Sequence, residues 1–337
     1  MAIATNTRTT YGAIGIREDL SNIIYNISPM DTPFLSGVGK GSADNTLFEW
    51  QTDSLTAAAS NQQLEGDNNM DALAVAEPVR LTNYCQISYK AVQSSGTAEA
   101  VDFAGRKSSQ AYQLAKRAKE IKRDMEKMLL SNDVKVAGAA GTARKTAAVM
   151  SWLGTTAAGT SNIILGSASP VVGVVNNGSS SPAVGPDGTT VASFGTSAVL
   201  TMAMINLAME RCFTLGGEPS TILAPADLKQ KISALGGSVI ADIQKDVPGT
   251  GQATAVNAVD VLVTDFGTLK IVPSRLMLAD MLFFVDYDFW SVDYLRPFQT
   301  ETLAKTGDSV KQLMIAEYGL RAKNGLANAA VIGVKDA

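Results

Sequence analysis

The chain has 337 residues, 46% of them apolar and 18% charged, with a net charge of −4 and no histidine. Without histidine there is no Ser-His-Asp or Cys-His hydrolase and no His-ligated metal; the net negative charge argues against electrostatic nucleic-acid binding. No apolar run reaches the roughly 18 residues of a transmembrane helix, and Cys85 and Cys212 lie too far apart for a metal or redox motif.

The charged share is below the roughly 25% usual for soluble domains. That favours a chain whose surface is covered by other copies, an obligate oligomer. The N-terminus MAIATNTRTT lacks an apolar signal core, so synthesis in a reducing cytosol is expected.

Residues 1–41 read as an arm. Asp19 is placed to cap a short helix over Leu20–Ile27, with Ile23, Ile24 and Ile27 on one face. Ser28-Pro29 and Thr32-Pro33 are expected to force extended backbone. Gly37, Gly39 and Gly41 suggest a flexible junction.

Residues 42–95 read as a long β-excursion. Leu47–Gln51 and Arg80–Tyr89 have strand composition, with turn signals between them at Glu65–Asn69. Two strands with a polar tip are not stable alone and need a partner surface. The span 44–79 holds seven acids (Asp44, Glu49, Asp53, Glu65, Asp67, Asp71 and Glu77) and neither Lys nor Arg.

Residues 97–131 read as one helix of roughly 50 Å at about 1.5 Å per residue, with Thr97 as N-cap and Gly105 as its weak point. Leu114, Ala118, Ile121, Met125 and Met128 form its apolar stripe. Lys116–Glu120 and Lys122–Glu126 are expected as i,i+4 pairs on the wet side. Residues 99–131 carry eight bases against five acids, so the acidic excursion is followed by a basic helix. That reversal suggests surfaces made to meet on different copies.

Residues 146–209 hold one charged side chain, Asp187. The Gly/Ser/Thr/Ala-rich middle, with islands Ile163–Leu165 and Val171–Val175, reads as a surface insertion. From 197 onward α and β alternate. A helix over Ser197–Leu215 is expected to face Met202, Ile205, Met209 and Phe213 inward and to end at Gly216-Gly217. Thr221–Leu223 is a short strand, and Pro225 opens a helix to Leu235. Val259–Thr264 and Thr268–Val272 form a hairpin around Asp265-Phe266-Gly267. Met281–Val285, Phe289–Tyr294, Leu313–Arg321 and Ala329–Val334 complete the strands.

Motifs with catalytic overtones fail on inspection. Gly37–Ser42 has the wrong order for a phosphate loop and follows an arm rather than a strand. Asp265-Phe266-Gly267 lacks the His-Arg-Asp a kinase requires. Asp67, Asn69 and Asp71 have calcium-loop spacing, but Ala72 and Pro78 stand where Gly and Glu are needed. No cofactor, metal or catalytic residue is expected.

Several ordered blocks carry a resemblance: DLSNIIYNISPMDTPFLSGVGKG at 19–41, NTLFEWQTDSL at 45–55, LTNYCQIS at 81–88, SGTAEAVDFAGRKSSQAYQLAKRAKEIKRDMEKMLLSN at 95–132, ARKTAAV at 143–149, TDFGTLKIVPSR at 264–275 and YLRPFQTETLAKTGDS at 294–309. In these the chain resembles the major capsid proteins of tailed bacteriophages, of α+β Hong Kong 97-like fold. The match is weak across 150–250. The resemblance implies an N-terminal arm at 1–41, an extended loop at 42–95 lying over a neighbouring subunit, a peripheral domain with its spine helix at 96–150, a low-charge insertion at 151–198, an axial domain at 199–285 and a return to the peripheral domain at 286–337.

It also implies hexamers and pentamers of the chain, a scaffolding protein, a portal, a decoration or cement protein, and packaged double-stranded DNA held without sequence-specific binding. No membrane is involved, and the destination is the virion after assembly in the host cytoplasm. Starting at Met1, the chain is expected to lack a removed N-terminal scaffolding domain. The inter-subunit contact candidates are Phe48, Trp50, Glu65, Asp67, Asp71 and Tyr84 on the excursion and Arg106, Lys107, Lys116, Arg117 and Lys119 on the helix. Because the excursion has no lysine, the shell is expected to hold without the loop lysine–asparagine bond of some relatives. An encapsulin-type compartment, an αβ enzyme with a lid at 154–195, and a tail-tube or decoration protein are the alternatives.

Overall fold

The computed structural model of the chain describes residues 31–53, 60, 62, 65, 77–103, 108–153, 162–166, 171–172, 187–192, 194, 197–235, 259–305 and 307–336. The expected helix at Leu20–Ile27, Gly105 and the calcium-like spacing at 67–71 lie outside these residues.

The chain enters through α1 (Pro33–Gly37) and β1 (Gly39–Ser42). Pro33 starts a helix instead of extending the backbone, because its missing N–H is harmless at the first helical position. The glycines of this stretch serve close approach rather than flexibility. A Cβ on Gly37 would stand 2.5 Å from the Tyr287 ring, and one on Gly41 would overlap the Asp293 carboxylate. Phe34 is fully buried, its ring about 6 Å from those of Phe283 and Trp290. Residues 31–42 therefore belong to the core of their own chain.

Next come β2 (Leu47–Thr52), β3 (Val79–Tyr84) and β4 (Gln86–Ser95), then α2 (Gly96–Ala100) and α3 (Ser109–Leu129). The expected single helix over 97–131 is two helices. Ser95, not Thr97, caps the first, accepting from the Ala98 N–H at 3.2 Å. Ser108 caps the second through Ala111 N–H at 3.2 Å. Glu99 ties the break together, accepting from Gln110 N–H at 2.8 Å and from the hydroxyls of Ser108 and Ser94 at 3.0 and 3.1 Å. Side-chain caps thus outcompete helix continuation. At 1.5 Å per residue α3 is about 31 Å long; it buries Ile121, Met125 and Leu129.

The third stretch contains β5 (Ile163–Leu165), β6 (Val171–Val172), β7 (Ala198–Val199), α4 (Met202–Thr214), β8 (Thr221–Ala224), α5 (Ala226–Leu235), β9 (Val261–Thr264), β10 (Gly267–Pro273) and β11 (Met281–Val285). The last contains β12 (Trp290–Thr302), β13 (Ser309–Ala322), β14 (Ala329–Ile332) and β15 (Val334–Lys335).

Two sheets organise these elements. One has the order β1-β12-β13-β4, the other β6-β5-β14-β11-β8-β10-β9. The first sheet carries α3 against β4 and β13, with Lys90 Nζ 2.6 Å from Asp124. The second is buried on both faces. Along β11, Leu282 and Phe284 join the core under α4 and α5, while Met281, Phe283 and Val285 join the core shared with α1, α3 and the first sheet. An uninterrupted apolar run is what two-faced burial selects.

Four expectations change here. Ile163–Leu165 is a strand beside β14 in the main sheet, so it is core rather than surface insertion. Gln86–Ser95 belongs to the first sheet rather than to the excursion. The expected return segment 286–337 divides, since β14 sits inside the second sheet. On α4 the inward residues are Met204, Ile205, Ala208, Met209 and Cys212. Phe213 turns out to solvent, 59% exposed, and meets the Phe266 ring at 5.3 Å. Asp265 and Phe266 form the hairpin turn, and Gly267 follows with φ +145°.

Candidate assembly surfaces

The excursion is fastened at its root. β2 and β3 pair from Leu47↔Tyr84 to Thr52↔Val79. Phe48 and Trp50 face inward with 5% and 9% exposure. Trp50 Nε1–H donates to the Ala322 carbonyl at 2.8 Å, and its ring lies 5.3 Å from that of Trp152. The Arg321 guanidinium lies 5.8 and 5.9 Å from the Phe48 and Trp50 rings, within cation–π range. Phe48 and Trp50 are therefore anchors in their own subunit, with almost no area left for a neighbour, which corrects their reading as inter-subunit contacts. Tyr84 is half-buried. Glu65 is exposed, and Asp67 and Asp71 lie outside the described residues.

Below the root is a buried polar hub that periodicity does not reveal. Asn83, fully buried, donates to Thr146 Oγ1 at 3.0 Å and to the Leu320 carbonyl at 2.6 Å, and accepts from Ala147 N–H at 3.0 Å. Thr146 Oγ1 accepts from Leu320 N–H at 3.0 Å. Glu317 is held by Arg144 at 2.5 Å and Arg296 at 2.8 Å. Asp293, 1% exposed, pairs with Arg321. Lys135 Nζ donates to Thr82 O and Oγ1 at 3.0 Å and to the Asp187 carbonyl at 2.8 Å. Burial pulls the Lys135 pKa down, and Asp187 opposes that.

The basic helix presents a different surface. Lys116, Lys119, Lys122 and Lys127 are exposed, and none forms a salt bridge among the described residues. Arg117 is engaged within the helix, 2.5 Å from Glu120. The expected Lys116–Glu120 and Lys122–Glu126 pairs are thus replaced. Glu126 turns inward and accepts from the amides of Phe34 at 2.9 Å and Leu35 at 2.7 Å, latching α1 to α3. Burial raises the Glu126 pKa, opposed by those two hydrogen bonds. Arg106 and Lys107 lie outside the described residues.

Both cysteines are buried, and burial raises their pKa values to about 11 for Cys85 and about 12 for Cys212. Thiols so protonated are poor nucleophiles. Among the described residues no three His, Cys, Asp or Glu side chains are grouped to hold a metal, and no helix is long and apolar enough to cross a membrane.

The architecture has counterparts among solved virus shells. Over 95% of this chain and 97% of that one, it matches the cyanophage A-1(L) capsid asymmetric unit with TM-score 0.67 at 13% identity. The capsid of the native GTA particle matches with TM-score 0.60 at 12% identity, over 97% of this chain and 99% of that one. A structure from Mycobacterium phage Bobi matches with TM-score 0.55 at 12% identity, over 96% of each chain. The fold is thus the α+β, Hong Kong 97-like fold of phage capsids.

Sequence narrows this further. The SU10 major capsid protein family model matches residues 3–335. The major capsid protein of Escherichia phage Phieco32 is 31% identical over 353 positions, covering 95% of this chain and 94% of that protein. The chain belongs to the SU10 major capsid protein family. It is a tailed-phage major capsid protein that forms the icosahedral head shell, and the encapsulin-type alternative is not favoured.

Proposed function

We propose that the shell is held by exchange of the acidic excursion between neighbouring copies, docked on surfaces that include the lysine row of α3. The observation that carries this is the contrast within one segment. Its root is bound to its own core by Phe48 and Trp50, while the continuation from Asp53 to Glu77 bears five acids and no base. The chain between Thr52 and Val79 is 26 residues, so out and back it reaches about 40 Å at ~3.3 Å per residue. Rim charges of this kind set register and encounter more than affinity.

On this reading the unit of β1, β12, β13, β4 and α3 acts as the peripheral domain, and the seven-stranded sheet with α4 and α5 as the axial domain of hexamers and pentamers. The lysine-free excursion makes the shell non-covalent. Scaffolding, portal and decoration proteins complete a head assembled in the host cytoplasm, and the net negative chain encloses double-stranded DNA without sequence-specific grip. Reversing Glu65, Asp67 and Asp71 together to Lys tests the exchange. Closed shells are expected to be lost at low and moderate salt; normal yields would remove the idea. Crosslinked ladders from native shells on denaturing gels would overturn non-covalent closure.

A further inference from the structure

A groove of about 520 Å³ opens where α1, α3 and β12 meet. Leu35, Tyr294, Pro297 and Phe298 form its apolar lining, and Lys40 and Lys122 bring two cations to it. Lys122 Nζ lies 6.0 Å from the Phe298 ring, which in turn lies 6.1 Å from the Tyr294 ring. Neither lysine forms a salt bridge among the described residues. An aromatic lining with two unpaired lysines selects a segment that is apolar in its middle and acidic at its flanks.

We infer that this groove is the seat of residues 71–77 from a second copy of the chain. In extended backbone, side chains two residues apart share a face. Asp71, Leu73, Val75 and Glu77 then present an acid, two aliphatics and an acid in a row. Leu73 and Val75 meet Tyr294, Pro297 and Phe298, and the two carboxylates meet Lys40 and Lys122. Residues 1–30, which precede the groove in the same chain, make a poorer occupant: Arg8 and Arg17 balance Glu18 and Asp19, so they offer no complementary charge. The inference rests on exchange of the excursion and adds its address. It also explains why the groove is built from α1, the element that Glu126 clamps to α3.

Native Cys85 and Cys212 are buried, so introduced surface cysteines can be paired by diamide without interference. Ser36→Cys on the groove rim and Ala74→Cys in the excursion are combined in one chain and assembled. Oxidised shells are expected to give a ladder of covalent multimers on non-reducing denaturing gels, abolished by reductant and absent from each single variant. Closed shells without a ladder, or a single intrachain-bonded monomer band, overturn the seat while leaving exchange of the excursion intact. Failure of the wild-type chain to form shells overturns both. As a second readout, Lys40→Glu with Lys122→Glu is expected to lower shell yield about tenfold or more, at an unchanged unfolding midpoint. Adding Asp71→Lys and Glu77→Lys restores it; no rescue by the charge swap also overturns the seat.

Discussion

The root of the excursion and the wet face of α3 are both charged in the sequence, yet their charges lie in opposite situations. Around the root, Asp293 and Glu317 are buried and each meets arginine. On α3, four lysines stand in water without an acidic partner among the described residues. A buried acid whose partner is removed leaves an uncompensated charge in low dielectric, whereas an exposed lysine is already solvated. The first region should therefore be read through stability and the second through assembly.

The most damaging way to break that distinction is Trp50→Ala. It removes a buried ring that touches Phe48 and Trp152 and the hydrogen bond to Ala322. A loss of about 3–5 kcal/mol is expected in denaturant unfolding of the subunit; a loss below about 1 kcal/mol would make the root peripheral. Glu317→Ala comes next. It frees Arg144 and Arg296, but both arginines have access to water, so about 2–3 kcal/mol is expected rather than the full cost of a broken buried pair.

The α1 latch adds a pH dependence of unusual sign. Burial raises the folded-state pKa of Glu126 above its unfolded value. Its protonation therefore favours the folded chain, and its contribution grows as pH falls through the folded-state pKa until the unfolded value is reached. Glu126→Gln lacks this term. The stability of wild type minus that of the variant is expected to increase between pH 7 and pH 4; a flat or falling difference would contradict it. At the small end, Lys116→Glu with Lys119→Glu should move subunit stability by no more than about 0.5 kcal/mol. The same pair is expected to reduce shell yield and flatten its salt dependence, which native agarose gels and negative-stain counts would check.

Much of the fold is legible in the chain. Met281–Val285 reads as a strand because five apolar residues in a row suit a two-faced position, and the Val261–Thr264 hairpin with β10 is marked by Asp265-Phe266-Gly267. α5 is marked by Pro225 before it, as α4 is by Gly216-Gly217 after it. The errors share one cause. A 3.6-residue period fixes relative angles on a helix but not which neighbour arrives, so Phe213 is misplaced outward of the real stripe. Gln110 and Glu99 lie 11 positions apart, close enough for a side chain to end one helix and start another, and local propensity does not register that. Candidate contacts fared likewise: an aromatic pair at the neck of an acidic loop looks like an interface until Arg321 and Trp152 are seen to cover it.

By itself the sequence determined the family, the alternation of elements after residue 197, and the lysine-free acidic excursion followed by a basic helix. These are properties of composition and order, so no coordinates are needed to read them. Tertiary structure alone decided which charges are available to a neighbour. Glu126 left its expected lysine for the Phe34 and Leu35 amides 91–92 residues away, and Glu317 found Arg144 across 173. Such partners are set by how sheets and helices stack, and it is their burial that separates an acid holding the subunit together from one free to hold the next subunit.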